Sequence, residues 1–397
     1  MNPIYLDANA TTPLLPEVAD AMRSAEADGF ANTSSQHTAG RRAKRLVEDA
    51  RERIAEILGA EVASSNADRV LFTSGGTESN NLALRGLTAA HRSSPVATTC
   101  RAGPGRIVIS AVEHSSIFRV AERMRVSGWH VEQLPVNSDG VVDSGQLTEC
   151  LSSDSRLVSV MLANHETGVL QPVSELAATS ARLGVPLHTD AAQVVGKLPV
   201  DFGRLGVSAM TVSAHKFHGP KGIGALVIRH GVPLEPIYLG GHQQGGLRAG
   251  TEPVALCVGM RVALEAFSRE CDARAARLKA LTKRFEQAIT CGWPGAVILG
   301  ASAARVPNVS AIALVGLDRQ ALIMALDQAG VACATGAACE SGSSESSATL
   351  AAMACRPEVA ASGIRFSISA RTTTSEIDDA VRRILRVARK LGRPRNG

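Results

Sequence analysis

Aromatic side chains make up only 3% of this 397-residue chain. Its interior must be filled by Ala, Val, Leu and Ile, and the interleaved aromatics that stack nucleobases are missing. No apolar run approaches the roughly 20 residues of a membrane-spanning helix, and no internal repeat stands out. The first residues, Met1-Asn2-Pro3-Ile4-Tyr5, lack the charged-then-apolar order of a secretory leader. The eight cysteines form no Cys-x-x-Cys pair and no metal-site rhythm, which argues against structural zinc. Reduced thiols and a cytoplasmic location are the expectation. Neither sign of charge dominates: 42 basic against 37 acidic residues leave +5. The basic surplus gathers mainly at Arg382 to Arg395, which reads as a solvated helix face. A nucleic-acid or membrane function is not expected.

What is present is ample apolar content, 45%, in a chain longer than a single core usually supports, so two lobes are expected. Strand-like apolar runs (106–110, 157–162, 185–189, 209–212 and 224–228) recur between helical stretches. Over Arg41 to Leu58, apolar or small residues at 43, 46, 47, 50, 54, 57 and 58 keep helical spacing. This alternation predicts an α/β fold with a mostly parallel, helix-covered sheet. An alanine- and arginine-rich helix over Glu265 to Ile289 would cross to a smaller C-terminal lobe. A final helix should start near Ser375, acidic at its start and basic at its end, and stop at Gly392.

Three segments carry chemistry. Val212-Ser213-Ala214-His215-Lys216 ends an apolar run in a polar elbow, after which the chain turns through Gly219-Pro220. A lysine there is either a solvated loop residue or, partly desolvated, an amine able to form a Schiff base with a carbonyl cofactor. Upstream, Leu187-His188-Thr189-Asp190 ends a strand in an acid, with Gln193 three positions on. Asp190 suits either a helix N-cap or the acid partner of a pyridinium nitrogen, the charge that makes pyridoxal phosphate an electron sink. Val70-Leu71-Phe72-Thr73-Ser74-Gly75-Gly76-Thr77-Glu78 reads as strand, glycine turn and helix. It is either an ordinary capped turn or a phosphate cradle of backbone amides with the Thr77 hydroxyl.

Together with these, the chain resembles the cysteine desulfurases, the NifS/IscS-like branch of the class V aminotransferase group, nearly end to end. Tyr5-Leu6-Asp7-Ala8-Asn9-Ala10-Thr11-Thr12-Pro13, Ala31-Asn32-Thr33-Ser34-Ser35-Gln36-His37, Val112-Glu113-His114 and Asn164-His165-Glu166-Thr167-Gly168 follow the family's order. So do Leu247-Arg248-Ala249-Gly250-Thr251, the cysteine loop 336–347 and Gly363-Ile364-Arg365-Phe366-Ser367. The resemblance implies pyridoxal phosphate fold type I. A large domain would span 16–262, and a smaller α+β domain would combine 1–15 with 263–397 and carry the cysteine loop.

It also implies roles. Lys216 would hold the cofactor and shuttle the substrate proton, Asp190 would face the ring nitrogen, and Gln193 and Asn164 would lie near the ring hydroxyl. Gly76, Thr77, Ser213 and His215 would hold the phosphate, joined by Thr251 from a second subunit of a homodimer. His114 would cover the ring and move a proton at the substrate thiol, while Arg365, assisted by Asn32, would grip the substrate carboxylate. Cys339 matches the nucleophile that takes sulfur from L-cysteine as a persulfide, leaving alanine. The sulfur then passes to an acceptor such as an iron–sulfur scaffold protein, with Cys339 a transient ligand of the cluster. Cys333, in apolar surroundings, reads as structural. The chain departs from the family pattern at Thr33, Ala337 and Ser346, and Glu340 beside Cys339 disfavours the thiolate. The rival readings are a selenocysteine lyase, another class V aminotransferase, or a non-catalytic binding partner. An aminotransferase would need no loop cysteine, and an idle relative would be expected to have lost Lys216 or Asp190.

Overall fold

The computed structural model describes residues 2–93, 104–336 and 347–392. Cys339 and most of its loop lie outside them. Strands β1 (Ile4–Tyr5), β2 (Arg69–Thr73), β3 (Arg106–Ser110), β4 (His130–Leu134), β5 (Ser155–Ser159), β6 (Leu187–Asp190), β7 (Ala209–Ser213) and β8 (Gly224–Ile228) occupy the first 228 residues. Seven of them form one sheet in the order β2-β8-β7-β6-β5-β3-β4. All neighbours are parallel except β8, which runs antiparallel to both β2 and β7. Strands β5, β7 and β8 are buried at every position, as expected when helices cover both faces. One core packs around Val158, Met210 and Val212, and a second around Ile107, Leu157 and Leu226 on the other face.

Helices α1 (Pro16–Asp28), α2 (Thr38–Ile57), α3 (Gly76–Ser93) and α4 (Ser115–Val126) belong to this body. Along α2 the buried positions are Gly40, Ala43, Val47, Ala50, Ile54 and Ala55, one stripe of a 3.6-residue period. Beyond residue 290 lie β9 (Ala296–Ile298), β10 (Val309–Leu314), β11 (Val331–Ala332) and β12 (Gly363–Ser367). An antiparallel sheet runs β12-β10-β9, and β1 from the chain start pairs parallel with β11. The core here joins Ile4 and Leu6 to Ile312, Phe366 and Ile384. The final helix, Thr374–Leu391, opens on a reciprocal capping box between Thr373 and Glu376 and is capped at Gly392.

The crossing helix differs from expectation. It is two helices, Val254–Ser268 and Cys271–Gly292, broken at Arg269 and Glu270, whose φ of −139° leaves the helical region. The buried Arg274 guanidinium donates to Ala266 O and Glu270 Oε1 and lies 5.7 Å from the Phe267 ring centre. It thereby satisfies a carbonyl that the break leaves open. Among the described residues no helix is long and apolar enough to cross a membrane.

Candidate active site

In a mainly parallel sheet the loops leaving the carboxyl ends of the strands share one edge, and ligands bind there. Here β2 delivers the glycine turn, β3 delivers His114, β6 ends in Asp190 and β7 runs into Lys216. They meet at a cavity of about 190 Å³ whose wall includes Gly76, Thr77, His114, Asp190, Gln193, Ser213, His215, Lys216 and Arg365. Nine residues singled out along the chain are thus brought together. A wider vestibule of about 950 Å³ shares Thr77, His114 and Ser116 with it and is walled by Arg85, Arg119 and Arg123. Such a field favours entry of anions.

The Lys216 amine donates to the carbonyls of Asn9 at 2.6 Å and Ala10 at 3.0 Å, so the opening motif serves to hold it. Thr12 Oγ1 accepts from the backbone of His218, and His218 Nδ1 lies 2.8 Å from Pro13 O. These contacts hold His218 at φ 69°, a conformation that a non-glycine residue adopts at a cost. His215 Nδ1 is 3.1 Å from Thr11 Oγ1. Burial, then the charges of Lys216 and Lys221, lower its pKa to about 4.

Asp190 is 8% exposed. Its Oδ1 accepts from Ala192 N and its Oδ2 from Asn80 Nδ2, so it caps its own turn and still borders the cavity. His188, two residues earlier, sits between Ser159 Oγ and Thr211 Oγ1. Burial, opposed by Asp190, lowers its pKa to about 4. Gln193 Oε1 accepts from the buried Lys197 amine at 2.6 Å and its Nε2 donates to Asn9 O at 3.2 Å, which leaves one N–H of Gln193 to donate elsewhere. Burial, then Lys216 and Arg365, hold the Lys197 pKa well below the usual lysine range.

At the glycine turn, Glu78 accepts from Ser74 N at 2.7 Å and from Arg248 Nε at 2.8 Å. Burial opposes ionisation of Glu78, but these bonds outweigh it and its pKa is lowered. The Arg248 loop is thereby fastened beside the turn. Arg365 is 3% exposed. Its Nη2 pairs with Asp7 Oδ1 at 2.7 Å and its Nη1 donates to His165 O, while its buried Nε has no partner.

Three expected site residues stand apart from this wall. Asn164 is buried and spent on its own surroundings. Its Nδ2 donates to Val112 O and Thr349 Oγ1, and its Oδ1 accepts from Glu166 N and Thr167 N. Asn32 is exposed and accepts from Ser34 N, and Thr251 is exposed on the loop after Arg248. At the departure from the family pattern, Thr33 Oγ1 donates to Glu252 Oε2 at 2.8 Å, which ties that loop down by a hydrogen bond.

Five wall or support residues were given no role from sequence: Asn9, Asn80, Ser116, His165 and Lys197. The first four lay in or beside quoted motifs. For Lys197, its position four residues after Gln193 was the available signal, since that spacing brings side chains together on one helical turn. Among the described residues no group of three or more His, Cys, Asp or Glu is placed to hold a metal.

The residues suit an anionic, ring-bearing ligand. A Cβ built on Gly76 would stand 3.5 Å from the Ser213 Cβ, inside the space that the turn and that hydroxyl enclose. The Arg365 Nε and His165 Nδ1 atoms are buried with no partner, and an unpaired buried donor or acceptor is costly unless a ligand or water meets it.

The comparisons agree with this geometry. The aminotransferase class-V family pattern matches residues 4–380. The chain is 42% identical over 381 residues to a cysteine desulfurase of Cereibacter sphaeroides, covering 95% of this chain and 94% of that protein. It is 37% identical over 388 residues to the cysteine desulfurase IscS of Dictyoglomus turgidum, covering 98% and 95%. An X-ray structure of a NifS-like protein from Rickettsia africae superposes with a TM-score of 0.85 at 30% identity, covering 97% of this chain and 99% of that one. By sequence and by fold, this chain belongs to the aminotransferase class-V family.

Proposed function

We propose that the chain is a pyridoxal-phosphate-dependent cysteine desulfurase. L-cysteine and the Cys339 thiol are converted to L-alanine and a Cys339 persulfide. The substrate C–S bond breaks, an S–S bond forms at Cys339, and the former Cβ gains a proton. The observation that carries this reading is the placement of Asp190 and Lys216 at the ends of neighbouring parallel strands, facing one cavity beside an anion cradle.

Pyridoxal phosphate, when bound, supplies an electron sink for negative charge at the substrate Cα. Gly76, Thr77, Ser213 and His215 hold its phosphate, with Thr251 contributed by the partner in a homodimer. Asp190 accepts from the ring nitrogen, and the Gln193 NH2, oriented by Lys197, donates to the ring hydroxyl. The Lys216 amine takes the Cα proton and returns it. Arg365 receives the substrate carboxylate while Asp7 keeps its fork in place. Cys339, named here on its family motif, accepts the sulfur and passes it to an acceptor such as an iron–sulfur scaffold protein.

The test is to load purified protein with pyridoxal phosphate, add L-cysteine and assay alanine. Wild type is expected to show a near-ultraviolet to violet absorbance band and to form alanine, and Lys216→Ala is expected to lose both. Persistence of both in Lys216→Ala would overturn the assignment. An aminotransferase would keep its activity in Cys339→Ser, whereas a desulfurase would stop releasing sulfur.

A further inference from the structure

The hydrogen bonds along one wall of the cavity run in a single direction. Asp190 Oδ2 accepts from Asn80 Nδ2 at 2.7 Å, and the same amide group donates to Ser116 Oγ at 2.8 Å. Ser116 Oγ lies 2.8 Å from His114 Nδ1. The backbone N–H of Ser116 also donates to that nitrogen, at 3.1 Å, because His114 is the N-cap of α4. Asn80 is 1% exposed, and Asp190 and Ser116 are each 8% exposed.

Each group in the chain has a fixed capacity. An amide nitrogen can donate and not accept, and an ionised carboxylate can accept and not donate. Turning the Asn80 amide over would set its oxygen against the Asp190 carboxylate. The observed orientation makes both donor bonds and leaves Asn80 Oδ1 buried with no partner. The Ser116 hydroxyl receives from Asn80 on one of its two lone pairs. Because the Ser116 backbone N–H already donates to His114 Nδ1, that nitrogen is an acceptor, and the hydroxyl proton points at it. Two donors then face Nδ1, which must be the unprotonated ring nitrogen.

We propose that Asn80 and Ser116 are positioning residues that hold His114 as the neutral tautomer with its proton on Nε2, the Asp190 carboxylate anchoring the Asn80 amide. In the resting protein the His114 Nε2 is then a hydrogen-bond donor rather than a base. It can steady a sulfur anion, while removal of the substrate proton falls to Lys216. The functional meaning of this state rests on the desulfurase reading, but the state itself does not.

The test uses pyridoxal-phosphate-loaded protein carrying ¹⁵N in its ten histidines, with His114→Gln identifying the His114 resonances by their loss. The Nδ1 resonance is expected at the frequency of an unprotonated nitrogen and the Nε2 resonance at that of a protonated one. Ser116→Ala removes one of the two donors and should lower the Nε2–H preference about fivefold, the worth of one hydrogen bond. Asn80→Ala removes the amide that holds the Ser116 hydroxyl in place, and should shift the ratio the same way. A proton on Nδ1 in wild type would overturn the proposal. So would an unchanged ratio in both variants with only their melting temperatures lowered. Absence of the cofactor band would count against the desulfurase reading alone, because the tautomer is read equally well without it.

Discussion

Arg365 reaches the cavity already paired, with Asp7 on one arm and the His165 carbonyl on another. That pairing orients a planar fork whose geometry a lysine cannot reproduce. Arg365→Lys keeps the charge and loses the fork, so kcat/KM for L-cysteine should fall about tenfold to a hundredfold, the range for a lost charged hydrogen bond. Most of the loss should appear as a raised KM, and steady-state kinetics checks this. Lys216, Asp190 and Arg365 stood out in the sequence because each follows, ends or lies in a short strand with a distinctive motif. Lys197 was not, since burial of a lysine amine among amide oxygens depends on contacts from residues 188 positions away.

At the scale of elements, the elbow after β7 depends on how closely the turn after β6 packs beneath it. Gly196 has φ +81°, and a Cβ there would lie 2.0 Å from the Phe217 Cβ. Gly196→Ala should therefore cost about 2–5 kcal/mol, combining a left-handed alanine with overpacking. It should also push Phe217, and with it Lys216, out of place. Thermal melting and retention of the cofactor band would both fall, and a variant as stable and as coloured as wild type would refute the packing account. The parallel strands and the helix α2 could be read from apolar runs and helical spacing. The break at Arg269 and Glu270 could not, because no glycine or proline marks it and its support comes from the Arg274 side chain.

For the whole molecule, we propose two lobes, 16–262 and 1–15 with 263–397, joined at the site by the chain start. Asp7 bridges to Ser367 while Asn9 touches Lys216, Lys197 and His165, so one short segment links both cores to the reacting groups. Beneath the cavity, burial raises the Glu113 pKa to about 8, partly offset by bonds from Ser110 and Met161. A group whose pKa is raised on folding contributes stability below its unfolded value and loses that contribution as pH rises through the folded one. Wild type should therefore lose stability relative to Glu113→Gln between about pH 4.5 and pH 8. The melting temperature of the variant minus that of wild type should grow by about 2–4 °C or more across that window, and a constant difference would refute a protonated Glu113. The desulfurase assignment itself is tested most directly by intact-mass and peptide analysis of the cofactor-loaded protein after a brief exposure to L-cysteine. The account predicts one added sulfur atom on Cys339 with alanine released alongside. Alanine formation with Cys339 unmodified, or undiminished in Cys339→Ser, would contradict it.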